Sequence, residues 1–262
     1  MKRHGYLIEK VIAPENMEDA FQIVMKGKRM SRVSQYYHRN KESILADIAR
    51  DIENDTYEPK GYYEFDIFDS GKVRNIQALP FRDRIALHAI MSVLNDLFRP
   101  MLIRDTYASL EGRGIHDGLN RVKKALRDRN GTQYALKFDL QKYYSSVDQS
   151  LLIEMLERKI KDGRMMNTLR RVIHSFHKGL PIGFHSSQQL GNFYLFPLDY
   201  YVKAELGAKY YFRYCDDIVI LSSSKDELRE IFGKVRAYVE DRLHLTIKSN
   251  HQIFPVESRG ID

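Results

Sequence analysis

The chain has 262 residues, of which 43% are hydrophobic, 11% aromatic and 29% charged, enough to bury a sizeable core and excluding a disordered polymer. Lysine and arginine number 42 against 35 aspartates and glutamates, a net charge of +7 that favours polyanionic partners without establishing one. A single cysteine, Cys215, excludes an internal disulfide and a multi-cysteine zinc site, and no run approaches the ~20 apolar residues of a membrane span. Glu9 and Lys10 interrupt what would have to be the apolar stretch of a signal peptide, so the expectation is a cytoplasmic protein with no membrane partner.

Hydrophobic spacing places the first helices at residues 17–25, after Pro14, and 43–52, where Ile44, Leu45, Ile48 and Ile52 recur at helical intervals. Residues 62–68 and 72–78 flank Asp69-Ser70-Gly71 and read as a β-hairpin. Pro80 opens a long helix with Ile85, Ala89, Val93 and Leu97 along one stripe, and a basic helix at 115–127 follows Glu111-Gly112-Arg113-Gly114. Residues 134–139 alternate as a strand, with Tyr134, Leu136 and Phe138 on one face and Ala135, Lys137 and Asp139 on the other, away from the apolar side. Ser146 or Asp148 caps a helix continued by Leu152, Met155, Leu156 and Lys159, and another helix covers 165–176. Leu180-Pro181-Ile182-Gly183 is a loop leading into a helix at about 187–206 that tolerates Pro197. Strands at 210–214 and 218–221, a helix at 226–243 and strand-like pieces at 245–247 and 252–256 complete the chain. Helices mixed with antiparallel hairpins, without regular strand-helix-strand alternation, give an α+β class.

The second hairpin carries Tyr214-Cys215-Asp216-Asp217 at its turn. Tight hairpin turns prefer Asn-Gly or Asp-Gly because they need positive φ, so Cys-Asp-Asp there implies backbone strain of the kind found at working sites. Two aspartates also simply solvate a turn, and the pair alone leaves both readings open. Two-metal phosphoryl transfer needs carboxylates from separate segments around cations roughly 3.5 to 4 Å apart. Asp139, at the end of its strand, supplies the third carboxylate if that strand lies beside the hairpin, although an isolated aspartate there equally caps the next segment. Oxygen-only ligation suits Mg2+.

The run Phe138-Asp139-Leu140-Gln141-Lys142-Tyr143-Tyr144-Ser145-Ser146-Val147-Asp148 resembles motif A of bacterial reverse transcriptases, and Tyr214-Cys215-Asp216-Asp217 resembles their motif C. Between them, Leu180-Pro181-Ile182-Gly183-Phe184-His185-Ser186-Ser187-Gln188 is similar to motif B. Lys72-Val73-Arg74-Asn75-Ile76, then Pro80 and Arg82-Asp83-Arg84, resemble the fingers segment that meets the incoming triphosphate, and the segment from Lys248 to Val256 resembles motif D and its following strand. The resemblance implies a right-hand polymerase with a small antiparallel palm sheet flanked by helices. Fingers would fall mainly at 1–130 and part of 150–180, the palm mainly at 131–150 and 181–262, and the thumb would be missing after 262.

It implies two Mg2+ ions, with Mn2+ as a substitute, held by Asp139, Asp216 and the Leu140 carbonyl, with Asp217 as a support or second ligand. Lys72 and Arg74 would clamp the triphosphate, Ile182, Gly183 and Gln188 would lie at the nucleotide, and Lys248 would donate a proton or touch pyrophosphate. Tyr144, five positions after Asp139, would abut the sugar and exclude a 2′-hydroxyl, against its alternative as a core aromatic. Arg113, Arg121, Lys123 and Lys124 would track template phosphates, and the partners would be template RNA, primer and dNTPs.

Ile182 stands before Gly183 where retroviral and group II intron enzymes carry Gln. The pattern Ile-Gly-x-x-x-Ser-Gln, the start Met1-Lys2-Arg3-His4-Gly5-Tyr6-Leu7 and the later Arg259-Gly260-Ile261-Asp262 resemble the enzymes of diversity-generating retroelements. That subtype implies error-prone copying at template adenines and a small basic accessory protein. Phage-defence, retron and group II intron enzymes are the alternatives, and an RNA-binding scaffold that has lost catalysis is a further one.

Overall fold

Apolar residues at helical spacing organise the first of two units of the chain, Met1–Arg99 with Gln149–Ser187; the second is Pro100–Asp148 with Gln188–Asp262. The computed structural model describes residues 3–28, 31–69 and 71–261. Met1 and Lys2 of the first motif, Ser70 of the first hairpin turn and Asp262 lie outside the described residues. Residues 100–130, grouped with the fingers by the sequence reading, fall in the second unit, and residues 181–187, grouped with the palm, fall in the first.

The first unit starts with α1 (Leu7–Val11) and α2 (Pro14–Met25), whose leading proline has no backbone N–H to leave unpaired. α3 (Arg32–Arg39) is capped by Ser31, which accepts from the Ser34 N–H, and α4 (Lys41–Glu53) follows. β1 (Tyr63–Asp69) and β2 (Lys72–Ala78) pair antiparallel, with Tyr63 opposite Ala78. α5 (Phe81–Phe98) buries the expected stripe, and Ala86, Ile90 and Leu94 are also sealed, because α2 packs along it. In the first turn of α5 the Asp83 carboxylate is fully buried, accepting from the Tyr57 hydroxyl at 2.9 Å and the Lys60 N–H at 2.8 Å.

In the second unit α6 (Ile115–Ala125) precedes β3 (Tyr134–Phe138) and the one-turn α7 (Tyr143–Ser146), entered through Lys142 at φ 46. α8 (Gln149–Glu157) and α9 (Gly163–His174) belong to the first unit. Asp162 caps α9 through the Met165 N–H and also accepts from the Leu7 N–H at 2.7 Å, tying α1 to α9. α10 (His185–Tyr200) starts two residues earlier than its sequence pattern suggests and contains Pro197; a single π turn, Tyr201–Glu205, follows it. β4 (Tyr210–Tyr214), β5 (Asp217–Ser222), α11 (Lys225–Leu243), β6 (Gln252–Pro255) and α12 (Val256–Arg259) complete the unit. No helix of the described residues is long and apolar enough to cross a membrane.

The second unit's sheet is antiparallel throughout, in the order β4-β5-β3-β6. On one face Phe138 packs against Phe232 of α11, with ring centroids 5.9 Å apart. On the other, Ala135, Phe212, Leu221 and Phe254 form a core with Tyr107 and Ala125 of α6. The strand ending at Asp139 is therefore covered on both faces at its start, and its second face turns polar only towards Lys137 and Asp139. Residues 245–247 do not form a full strand. They make a single bridge, Leu140 to Ile247.

Candidate active site

Strand register assembles the carboxylates. Phe138 pairs with Ile218, so one step further the ladder sets Asp139 against Asp217. Asp217 pairs with Tyr214 and is the first residue of β5, which leaves Cys215-Asp216 as a two-residue turn rather than the three residues that strands at 210–214 and 218–221 would leave. Cys215 has φ 53, the left-handed conformation expected of such a turn but held here by a side chain with a Cβ.

The trio carries more negative charge than its surroundings balance. Burial, and then the neighbouring charges of Asp217 and Asp139, raise the Asp216 carboxyl above the ordinary carboxylate range, against a hydrogen bond from its own backbone. Asp217 is raised by burial and by Asp139. Lys248 forms a hydrogen-bonded ion pair with one oxygen of Asp139, and that bond raises the lysine above its ordinary value. The other oxygen, Asp139 Oδ1, is buried without a hydrogen-bond partner.

Backbone bonds fix this arrangement. The Lys248 N–H donates to the Asp139 carbonyl at 3.0 Å and the Gln141 N–H to the Thr246 carbonyl at 2.8 Å. Leu140 and Ile247 are thus a non-hydrogen-bonded pair, and the ladder makes no use of the Leu140 carbonyl. An all-oxygen donor set with one orphaned buried carboxylate oxygen and a lysine ammonium on the other fits a hard divalent cation. Among the described residues no three His, Cys, Asp or Glu side chains are gathered as a finished cage. Beside Asp139 and Asp217 lies a cavity of about 220 Å³, lined also by Lys137, Asn250, Gln252 and Arg259.

Tyr144 stands next to this turn, its hydroxyl 3.6 Å from Cys215 Sγ, and burial raises its phenol above the usual range. Gly191 of α10 makes room for it: a Cβ there would sit 3.2 Å from the Tyr144 ring and 3.3 Å from Tyr143, whose hydroxyl donates to the Gly191 carbonyl at 2.6 Å. Gln188 is exposed and accepts from the Ser109 hydroxyl at 2.9 Å.

Ile182 and Gly183 belong to the first unit, where the Gln77 N–H of β2 donates to the Ile182 carbonyl at 2.9 Å. Gly183 has φ +107, and a Cβ would lie 2.7 Å from the Gln77 carbonyl and 2.9 Å from Ile76 Cγ2. The need for glycine thus has a cause within the chain. We expect Gly183→Ala to lower stability by about 1–3 kcal/mol through backbone strain, read as a shift in the urea unfolding midpoint. Ile182 is 40% exposed. The backbones of Lys72 and Arg74 lie on β2, and their side chains fall outside the described part of the structure.

Two of the four basic residues assigned to template phosphates have partners within the chain. Arg121 forms an ion pair with Asp105 at 3.0 Å, and Arg113 donates to the Ile103 carbonyl at 2.7 Å. Lys123 and Lys124 are exposed near the end of α6. Sequence reasoning passed over Arg213 and Asp199, a fully buried ion pair next to the turn. The available signal was an arginine inside the aromatic strand Tyr210-Tyr211-Phe212-Arg213-Tyr214 and an aspartate inside an apolar helix.

An antiparallel sheet that presents carboxylates at the adjoining ends of β3 and the β4–β5 hairpin defines the palm of a template-directed polymerase. The profile of the family "Reverse transcriptase (RNA-dependent DNA polymerase)" matches residues 59–251, and the chain belongs to that family. Its fold is of the fingers-palm type, and the family to which it belongs is one of RNA-dependent DNA polymerases. Protein YkfC of Escherichia coli K12 is 23% identical over 305 aligned positions, covering 97% of this chain and 80% of that protein. The group II intron-encoded protein LtrA of Lactococcus lactis is 24% identical over 173 positions, covering 62% of this chain and 28% of LtrA. The structure of apo telomerase from Candida tropicalis matches with a TM-score of 0.53 at 15% identity, over 77% of this chain and 45% of that one. This chain therefore spans less than half the length of LtrA and of the telomerase chain.

Proposed function

We propose that this chain copies an RNA template into cDNA by two-metal nucleotidyl transfer at Asp139, Asp216 and Asp217, with errors at template adenines as in a diversity-generating retroelement. The observation that carries the chemistry is the buried, unpartnered Oδ1 of Asp139 beside two carboxylates whose proton affinity is raised. Asp139, Asp216 and the Leu140 carbonyl, with Asp217 beside them, would hold two Mg2+ ions, or Mn2+ in their place, which when bound activate the primer 3′-hydroxyl and offset charge on the pyrophosphate. Lys248 balances Asp139 in the absence of cations and supplies a proton or a charge-assisted contact to the leaving pyrophosphate. Lys72 and Arg74 bind the triphosphate, Gln188 lies at the nucleotide, and Lys123 and Lys124 attract template phosphates together with Arg113 and Arg121.

Tyr144 is the sugar discriminator of this reading. Tyr144→Ala is expected to raise incorporation of ribonucleotides relative to deoxyribonucleotides by about 100-fold in kcat/KM, measured by single-nucleotide primer extension. An unchanged ratio would return Tyr144 to the role of a packing aromatic.

The error-prone subtype rests on Ile182, where an apolar side chain replaces an amide that would check the nascent pair by hydrogen bonding. Ile182→Gln is expected to lower misincorporation opposite template adenine, and an unaltered error ratio would remove this explanation. A group II intron type of enzyme is the second reading, favoured by the similarity to LtrA. Primer extension on a defined RNA template with Mg2+, scoring activity and errors at adenine with and without a small basic accessory protein, tests the reading as a whole. Faithful copying at adenine favours the second reading, and no cation-dependent extension under any of these conditions overturns both.

A further inference from the structure

Next to the Cys215-Asp216 turn lies a buried polar network with no assigned part in the reaction. Arg213 and Asp199 are both sealed from solvent. The guanidinium donates from Nε to Asp199 Oδ1 and from Nη2 to Oδ2, both at 2.7 Å. Its remaining terminal nitrogen, Nη1, donates to Asn192 Oδ1 at 3.1 Å and to the Cys215 carbonyl at 3.0 Å. Asp199 is held in turn by the Tyr211 hydroxyl at 2.6 Å and the Thr106 hydroxyl at 3.2 Å. The backbone of Arg213 is pinned as well: its N–H donates to the Asp105 carbonyl at 2.9 Å and its carbonyl accepts from the Tyr107 N–H at 3.0 Å.

A buried ion pair adds little net stability over apolar residues of the same shape, so its retention calls for another reason. The Cys215 carbonyl supplies one. Cys215 occupies the left-handed region, which an L-residue with a Cβ keeps only where its surroundings over-determine it. A planar guanidinium anchored at two points on Asp199 is a rigid donor, and a flexible ammonium cannot reproduce that fork.

We propose that Arg213, anchored by Asp199, is a positioning residue that fixes the left-handed Cys215 and thereby aims the Asp216 carboxylate for divalent-cation binding. Arg213 acts through the turn and touches no reactant. This inference rests on Asp216 being a cation ligand.

The test compares wild type, Arg213→Lys, Arg213→Lys with Cys215→Gly, and Tyr211→Phe. Mn2+ binding is titrated by electron paramagnetic resonance without nucleotide, the Mg2+ dependence of primer extension is measured in parallel, and unfolding midpoints are recorded for each protein. Arg213→Lys is expected to weaken Mn2+ binding and raise the Mg2+ concentration for half-maximal rate by about ten-fold, as loss of an outer support of a metal ligand does. Excess cation should restore much of the rate. Cys215→Gly should rescue the lysine variant, because glycine takes the left-handed conformation without an anchor. Tyr211→Phe, which loosens Asp199 by one hydrogen bond, should shift the cation requirement in the same direction by a smaller factor, and it carries the test if Arg213→Lys does not fold. Wild-type cation dependence in every folded variant overturns the proposal. A cation effect in Arg213→Lys that Cys215→Gly leaves unrelieved also overturns it, since the turn is then not the link. Absence of Mn2+ binding and of Mg2+-dependent extension in the wild type would instead overturn the cation-ligand reading on which it rests.

Discussion

Asp216→Asn is expected to lower primer extension by about a thousand-fold or more while raising the stability of the cation-free protein. The first effect follows from removing one carboxylate of the proposed two-cation site, where charge stabilisation would contribute several kcal/mol to the transition state. The second follows from the electrostatics of the trio. Burial and the nearby carboxylates raise the proton affinity of Asp216 and Asp217 in the folded chain. An acid whose folded pKa is raised contributes stability below its unfolded pKa and loses it as pH rises through the folded value. Without cations the wild type should therefore become less stable on going from acid towards neutral pH through the raised pKa values of these two groups. Asp216→Asn should flatten that loss, and Mg2+ should offset it in the wild type alone. Thermal unfolding in chelator and in Mg2+, over a pH series rising from the ordinary aspartate value to pH 7.5, measures all of this. An Asp216→Asn protein less stable than wild type in chelator at pH 7.5 would show that the carboxylate is structural.

The clustering of the carboxylates was legible in the sequence because it resides in short, ordered strings. Tyr214-Cys215-Asp216-Asp217 between two strand-forming runs, and Asp139 at the end of an alternating segment, need only one assumption to lie together: that the two strands are neighbours. The register of Phe138 with Ile218 fulfils it. Helices with strong stripes, such as α5, were equally readable. Less readable was α3, whose Val33 and Tyr36 stay exposed and give no apolar stripe. The end of the basic helix at Ala125 and the single bridge at Ile247 depend on neighbours distant in sequence. The two-unit division of the chain likewise depends on packing between distant segments. Tyr107 and Ala125 join the core around Ala135, Phe212 and Leu221, which draws the segment after Arg99 into the second unit. Gly183 shows the same limit at a single residue. Sequence identified the glycine, but only the structure shows that the atom it must avoid is the Gln77 carbonyl.

Arg213→Met should be the most destabilising single substitution considered, by about 3–5 kcal/mol, because it leaves Asp199 buried and charged without its cation. The hydroxyls of Tyr211 and Thr106 still donate to Asp199, but two hydrogen bonds from neutral donors do not balance a desolvated carboxylate. Asp199→Leu alone strands the guanidinium in the same way and should cost a comparable amount. Combining the two removes both charges together, so the double variant should be more stable than either single one, with a coupling of about 2 kcal/mol or more. The chain has no tryptophan, so urea unfolding is best followed by circular dichroism. Additive losses in the double variant would show that Arg213 and Asp199 are stabilised separately, by Asn192 and the Cys215 carbonyl on one side and by the two hydroxyls on the other. A double variant that regains stability but not cation affinity would separate the two roles of the pair, since a thioether side chain can fill the space of the guanidinium but cannot donate to the Cys215 carbonyl above it.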